Sequence, residues 1–252
     1  MPSELYVEAR GDLNNPVFLL HGLGCNGAVW DPVVAALNAS GYGTIVPDFS
    51  GHGRSPWQAP YSLAGHAASL ASLVGTGRPA NMIGHSMGAS VGLVLATRFP
   101  EIAVANILAV GLKVDWAPSE IERMGTVRPL RQFATRAEAA ERFLLVTGLS
   151  GLVDETHRCV GAGTVSAEGG FRLACDPQTV AVVREPVVPL LEAIRGRSTK
   201  LRMACGEEDR LVAVAALRAW DENAQLIPGA GHNAHLDAER TLDVFFEMLR
   251  GQ

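Results

Sequence analysis

The sequence predicts an α/β fold: a mostly parallel central sheet flanked by helices, with a helical segment inserted into it. Three observations carry this. Short apolar runs alternate with longer helical patterns, which is how a parallel sheet covered by helices reads. Several runs, such as VFLLH (17–21) and NILAVG (106–111), are solidly apolar rather than alternating, as strands buried on both faces are. The alternation also fails between about residues 113 and 197 and resumes afterwards. With 252 residues, 48% of them hydrophobic and 19% charged, the chain has ample apolar material for a large core.

In chain order the strands are expected at LYVEA (5–9), VFLLH (17–21), TIVPDF (44–49), NMIGH (81–85), NILAVG (106–111), LRMACG (201–206) and AQLIPG (224–229). Helices are expected over 29–39, 63–74, 86–98, 212–220 and 238–249. Asp31-Pro32 reads as a helical first turn and Gly41 as the stop of the same helix. In the interrupting block, Ser119-x-x-Glu122 and Thr135-x-x-Glu138 have capping-box spacing, and Asp176-Pro177 is a cap followed by a proline. The glycine-rich VGAGTVSAEGG (160–170) reads as a loop. Residues 113–197 are therefore expected to form a helical cap, inserted into a core domain made of residues 1–112 and 198–252.

Composition narrows the function. The formal net charge is −5 with the two signs interspersed, so no basic patch is available to grip nucleic acid. No window approaches the roughly 18 apolar residues of a membrane span. The N-terminal MPSELYVEARGDLNN lacks a cationic start and an apolar stretch, which predicts no signal peptide and a cytoplasmic protein. Cys25, Cys159, Cys175 and Cys205 are widely spread and are expected to be free, mostly buried thiols; His157 with Cys159 does not make a zinc site.

The chemistry is carried by Gly84-His85-Ser86-Met87-Gly88. In a chain with 27 glycines, composition alone gives about 0.1–0.2 chance matches to G-x-S-x-G, so context has to decide. A nucleophile elbow needs a strand, a tight turn and a helix, and 81–85 followed by 86–98 supplies them. Gly84 and Gly88 flank the turn where backbone approaches closely, and the helix N-terminus directs free N–H groups at a developing oxyanion. A serine hydroxyl needs a base, and the base needs an orienting acid. His232, in PGAGHNAHL after the last strand, is the preferred base over His235, which begins the last helix. His21 and His85 belong to backbone-defining motifs, His52 to a loop, and His66 and His157 to surface positions. Asp209, in CGEEDRLV after the penultimate strand, is the preferred acid, with Asp115 second; Glu207 and Glu208 solvate a turn. The order Ser86, Asp209, His232 is the one expected on this type of sheet.

With GHSMG stand VFLLHGLGCNGAVW, PDFSGHGRS, CGEEDRLV and GAGHNAHL, in that order. On these motifs the chain, from about residue 5 to 249, resembles the α/β-hydrolase family, in its cap-bearing, esterase-like form. The resemblance implies an oxyanion hole made by the backbone N–H groups of Leu23 and Met87. It also implies that Asp48, His52 and Arg54 brace the oxyanion turn. That turn reads HGLG where some esterases and lipases have HGGG, so the Leu23 side chain narrows the acyl site. Ser86 argues against the dehalogenase and epoxide hydrolase chemistry that an Asp nucleophile would imply. The expected reaction is hydrolysis through an acyl-enzyme, with no metal or organic cofactor. Trp116, Met124, Leu130, Phe133, Phe143 and Leu144 are the cap residues expected to line an apolar pocket. The partner would then be a small to medium apolar carboxylic ester. Two alternatives stand beside it. One is a C–C bond hydrolase of the meta-cleavage-product type, with Arg123, Arg128, Arg131 or Arg172 holding the carboxylate of a vinylogous diketone acid. The other is a ligand-binding, receptor-like relative of slow turnover.

Overall fold

The computed structural model describes residues 4–250. The apolar runs become strands whose alternate side chains enter two different layers. In chain order they are β1 (Val7–Arg10), β2 (Pro16–Leu20), β3 (Gly43–Pro47), β4 (Ala80–His85), β5 (Val104–Val110), β6 (Gln132–Phe133), β7 (Thr164–Ala167), β8 (Gly170–Leu173), β9 (Lys200–Gly206) and β10 (Gln225–Ile227). Among the described residues one sheet has seven strands in the order β1-β3-β2-β4-β5-β9-β10. Its pairings are parallel except β1 with β3, which is antiparallel.

Phe18, Leu20, Met82, Ile107, Ala109 and Met203 face one layer, with Leu63 and Leu70 of α2 (Leu63–Val74) and Leu93 of α3 (Met87–Arg98). Val17, Leu19, Ile83, Leu108, Val110 and Ala204 face the other, with Val33 and Leu37 of α1 (Asp31–Ala39) and Leu242, Phe245 and Met248 of α9 (Ala238–Arg250). Burial on both faces explains why these strands read as continuous apolar runs. In α3 every residue from Met87 to Ala96 is buried, so the helix is fixed all round at the centre of the molecule. The helix expected over 212–220 is only α8 (Val214–Arg218). Among the described residues no helix is long and apolar enough to cross a membrane.

The stretch between β5 and β9, expected to be mostly helical, holds strands as well as helices. It holds α4 (Pro118–Met124), α5 (Arg136–Thr147), α6 (Arg158–Gly163), a 3-10 helix (Pro177–Arg184) and α7 (Val188–Ile194). It also holds an antiparallel ribbon in the order β6-β8-β7. The glycine-rich 160–170 stretch is not one loop: it ends α6, forms β7 and turns at Gly169, φ +81°, into β8. Two strands of four half-exposed residues carry too little apolar pattern to be seen beforehand. The Thr135 capping box forms in both directions, Glu138 N donating to Thr135 Oγ1 (3.2 Å) and Thr135 N to Glu138 Oε2 (3.4 Å). Asp176 caps the 3-10 helix by accepting from Gln178 N at 2.9 Å. The Ser119 box does not form. That helix starts at Pro118, and Glu120 reaches back to Ala117 N at 2.9 Å.

Candidate active site

Ser86 lies between β4 and α3 with φ +49° and ψ −112°, the one non-glycine residue with positive φ among those described. An L-residue held there is strained, and the surroundings over-determine it. Its N–H donates to Val110 O of the adjacent strand at 2.9 Å, and its carbonyl accepts from Ala89 N at 3.1 Å. The flanking glycines have no room for a side chain. A Cβ on Gly84 would meet Ala89 N at 2.5 Å, and one on Gly88 would overlap the carbonyl of Leu20.

Asp209 and His232 come from the loops after β9 and β10, at the same end of the sheet as Ser86. His232 Nδ1 is 2.9 Å from Asp209 Oδ2. The carboxylate only accepts, so the proton is assigned to Nδ1 and Nε2 carries the lone pair. Asp209 Oδ1 accepts from Leu211 N (2.8 Å) and Val212 N (3.1 Å), and its side chain has no exposed surface. Burial alone would raise its pKa, but the hydrogen bond and charge of His232 and the two amides outweigh it and hold the carboxyl below its ordinary value. Such a pair keeps the acid ionised and the imidazole in one tautomer. Ser86, Leu23, Met87 and His232 all line one cavity of about 920 Å³. Ser86 Oγ makes no hydrogen bond to His232 or to any other described residue.

The loop carrying Leu23 is fastened from below. His21 Nδ1 donates to Gly22 O (2.8 Å), and its Nε2 accepts from Phe49 N (2.9 Å). Asp48, fully buried, accepts from Gly27 N (2.6 Å) and from Arg54 Nε (2.9 Å), so this loop and the PDFSGHGRS loop form one braced unit. A Cβ on Gly22 would meet His85 Nδ1 at 2.6 Å, which is why glycine follows His21. His66 is buried rather than superficial, its ring packed on Phe49 (5.2 Å) and Tyr61 (6.2 Å), and His52, also buried, sets its ring against those of His21 (5.1 Å) and His66 (6.2 Å).

The cavity wall is shared between the sheet end and the 113–197 stretch. Trp116, Met124, Leu130 and Phe133 line it. Phe143 and Leu144 do not. Both lie on the inner face of α5 in the core, Phe143 against Gly163, while Arg142, Leu145, Val146 and Thr147 of the same helix face the cavity. Arg123, Arg128 and Arg131 line it, whereas Arg172 stacks over Trp57 at 4.1 Å. Asp115 is more than half exposed and paired with Lys113. Cys25 lines the cavity as a buried free thiol whose pKa burial pushes up.

Three residues matter that the motifs did not announce as positioning groups. His85 Nε2 donates to His232 O at 3.0 Å, and its ring packs on that of His232 at 4.9 Å. Burial, then the neighbouring His235 and His232, keep His85 far below its ordinary pKa, so it is neutral. Asn233 Nδ2 donates to Thr147 O and Gly148 O, both at 3.0 Å, tying the His232 loop to the end of α5. Asn26 Nδ2 donates to Cys159 O at 2.8 Å and ties the Leu23 loop to α6. Their partners are more than 80 residues distant, so no local signal could have marked them.

A model described as the alpha/beta hydrolase family matches residues 17–244. Lipase LipV of Mycobacterium tuberculosis is 35% identical over 109 residues, 42% of this chain and 41% of the lipase. A pimeloyl-(acyl-carrier protein) methyl ester esterase of Neisseria meningitidis is 36% identical over 90 residues, 36% of this chain and 28% of the esterase. The matched stretches thus span less than half the length of these curated relatives. Among solved structures, that of E-2-(acetamidomethylene)succinate hydrolase superposes with a TM-score of 0.82 at 22% identity, covering 98% of this chain and 95% of the other. A thermophilic esterase from Thermogutta terrifontis superposes with 0.69 at 21% identity, covering 98% and 93%. At these identities the superpositions speak for the fold. With the family model covering nearly the whole described chain, this protein belongs to the alpha/beta hydrolase family.

Proposed function

We propose that this hydrolase cleaves small to medium apolar carboxylic esters through an acyl-enzyme on Ser86. One observation carries the reading. The Asp209–His232 pair, its acid buried, and the strained Ser86 stand at the same end of one sheet, and Ser86 and His232 open on a single cavity. In the proposed reaction His232 Nε2 takes the Ser86 proton as Oγ attacks the carbonyl carbon. The resulting oxyanion is held by the N–H groups of Leu23 and Met87, each donor worth about 3 kcal/mol of barrier. The tetrahedral intermediate collapses, His232 protonates the departing alcohol, and the acyl group stays on Oγ. Water then gives a proton to His232 as it attacks the acyl carbon, and as the bond to Oγ breaks His232 returns that proton to Ser86, releasing the acid. Asp209 holds the imidazole in its tautomer and stabilises its charged form. Nucleophile–base contacts of this kind tighten when substrate binds. Residues 113–197 act as the cap that closes the acyl pocket, held to the sheet end through Asn26 and Asn233. A lipase and a methyl ester esterase among the relatives support ester over amide or peptide.

The test is hydrolysis of 4-nitrophenyl esters from acetate to decanoate by native protein and by Ser86→Ala. The expected result is turnover by the native protein that falls at least about 10³-fold in the variant. A native protein idle on every ester overturns the reading and moves weight to C–C bond cleavage or to ligand binding.

A further inference from the structure

The cavity beside Ser86 is apolar in its body and cationic in part of its wall. Arg142 comes from α5 with Leu145 and Val146, one turn along the same face. It is half-buried, and among the described residues it has no hydrogen bond or ion pair. Its neighbour one turn back, Glu138, is spent on the helix cap, accepting from Ala134 N at 2.9 Å. A guanidinium withdrawn from water without a partner is unfavourable, and its fork of donors matches a carboxylate. Arg128 and Arg131 stand exposed on the same wall, Arg131 over the Phe133 ring at 5.0 Å.

Three of the other charged residues on this wall, Lys113, Asp176 and Glu185, are already engaged. Lys113 Nζ lies 3.3 Å from Glu120 and 3.0 Å from Leu211 O. Asp176 accepts from Tyr61 Oη and Gln178 N, and Glu185 from Leu63 N. Arg123, Arg128, Arg131 and Arg142 thus line this one cavity with no ion pair among the described residues. We propose that this hydrolase selects esters whose apolar body carries a carboxylate away from the scissile bond. The apolar chain would run along the Leu145–Val146 wall and its carboxylate would meet Arg142, with Arg128 and Arg131 beside it. A monoester of a dicarboxylic acid is the substrate class that fits. The inference deepens the ester reading, on which it rests for the position of the scissile bond, but charge selection can be read without turnover.

Monomethyl suberate and its neutral counterpart dimethyl suberate are titrated calorimetrically into the Ser86→Ala protein at low salt. The anion is expected to bind about tenfold more tightly than the diester. The ratio should fall towards one with Arg142→Gln or with raised salt, and recover in part with Arg142→Lys. Arg136→Gln, on the exposed start of the same helix, should leave it unchanged. In turnover by Ser86-containing protein, Arg142→Gln should raise KM for the monoester more than it lowers kcat. A ratio taken within one preparation does not depend on the active fraction. Equal binding of the two esters, or a ratio untouched by Arg142→Gln, overturns the inference. Selective binding with no hydrolysis of either ester sinks the esterase reading alone.

Discussion

His235 is wholly buried between the rings of Trp30 (4.6 Å) and His85 (4.2 Å), and neither of its nitrogens is hydrogen-bonded within the described chain. Burial, then the nearby His232, lowers its pKa to about 3. Burial and His21 lower that of His66 to about 4. In the unfolded chain both return to about 6.5, so below that pH the unfolded state binds protons the folded state refuses. Their contribution is complete above about pH 6.5 and is lost as pH falls towards the folded values. Asp209 behaves differently: its pKa is depressed from an ordinary carboxylate value, so its contribution is lost only below about pH 4. The slope between pH 7 and 5 therefore belongs to the histidines. Urea unfolding should show stability falling across that range, and His235→Phe should flatten the slope by about 1 kcal/mol per pH unit on average. An unchanged slope would mean that His235 titrates normally in the fold.

At the scale of the element, the turn from β4 into α3 sets the whole site, and its glycines are dictated by neighbouring backbone. Gly88→Ala puts a methyl group against the carbonyl of Leu20, on a strand buried on both faces that has no space to yield. The variant is expected to lose about 3 kcal/mol or more of unfolding free energy, or to fail to accumulate in soluble form. Stability within 1 kcal/mol of native would show the turn to be looser than drawn. The same element explains what could be read in advance. Strands such as Ala80–His85 were legible because burial on both faces leaves an uninterrupted apolar run, and Ser86 because glycine flanks it on both sides. The β6-β8-β7 ribbon was not, because its strands are short and half-exposed. Phe143 was expected to line the pocket because an aromatic residue in a cap can face either way. The face it takes is set by Gly163, whose missing side chain leaves a seat for the ring.

Across the whole molecule, sheet order turns a dispersed set of residues into a site. Ser86 follows the central strand, Leu23 the loop after its neighbour β2, and Asp209 and His232 the loops after β9 and β10, so all of them meet at one end. This convergence was readable because open parallel sheets present chemistry at their carboxyl ends. The tethers that hold the cavity wall were not, because contacts such as Asn233 to Thr147 link distant segments. The account stands or falls on Ser86 as the activated nucleophile. The most direct measurement is labelling with a fluorophosphonate, followed by mass spectrometry of the digested protein. The account predicts one adduct, on Ser86, absent in Ser86→Ala and formed far more slowly in His232→Ala. No adduct, or an adduct on another residue at the native rate, would contradict it.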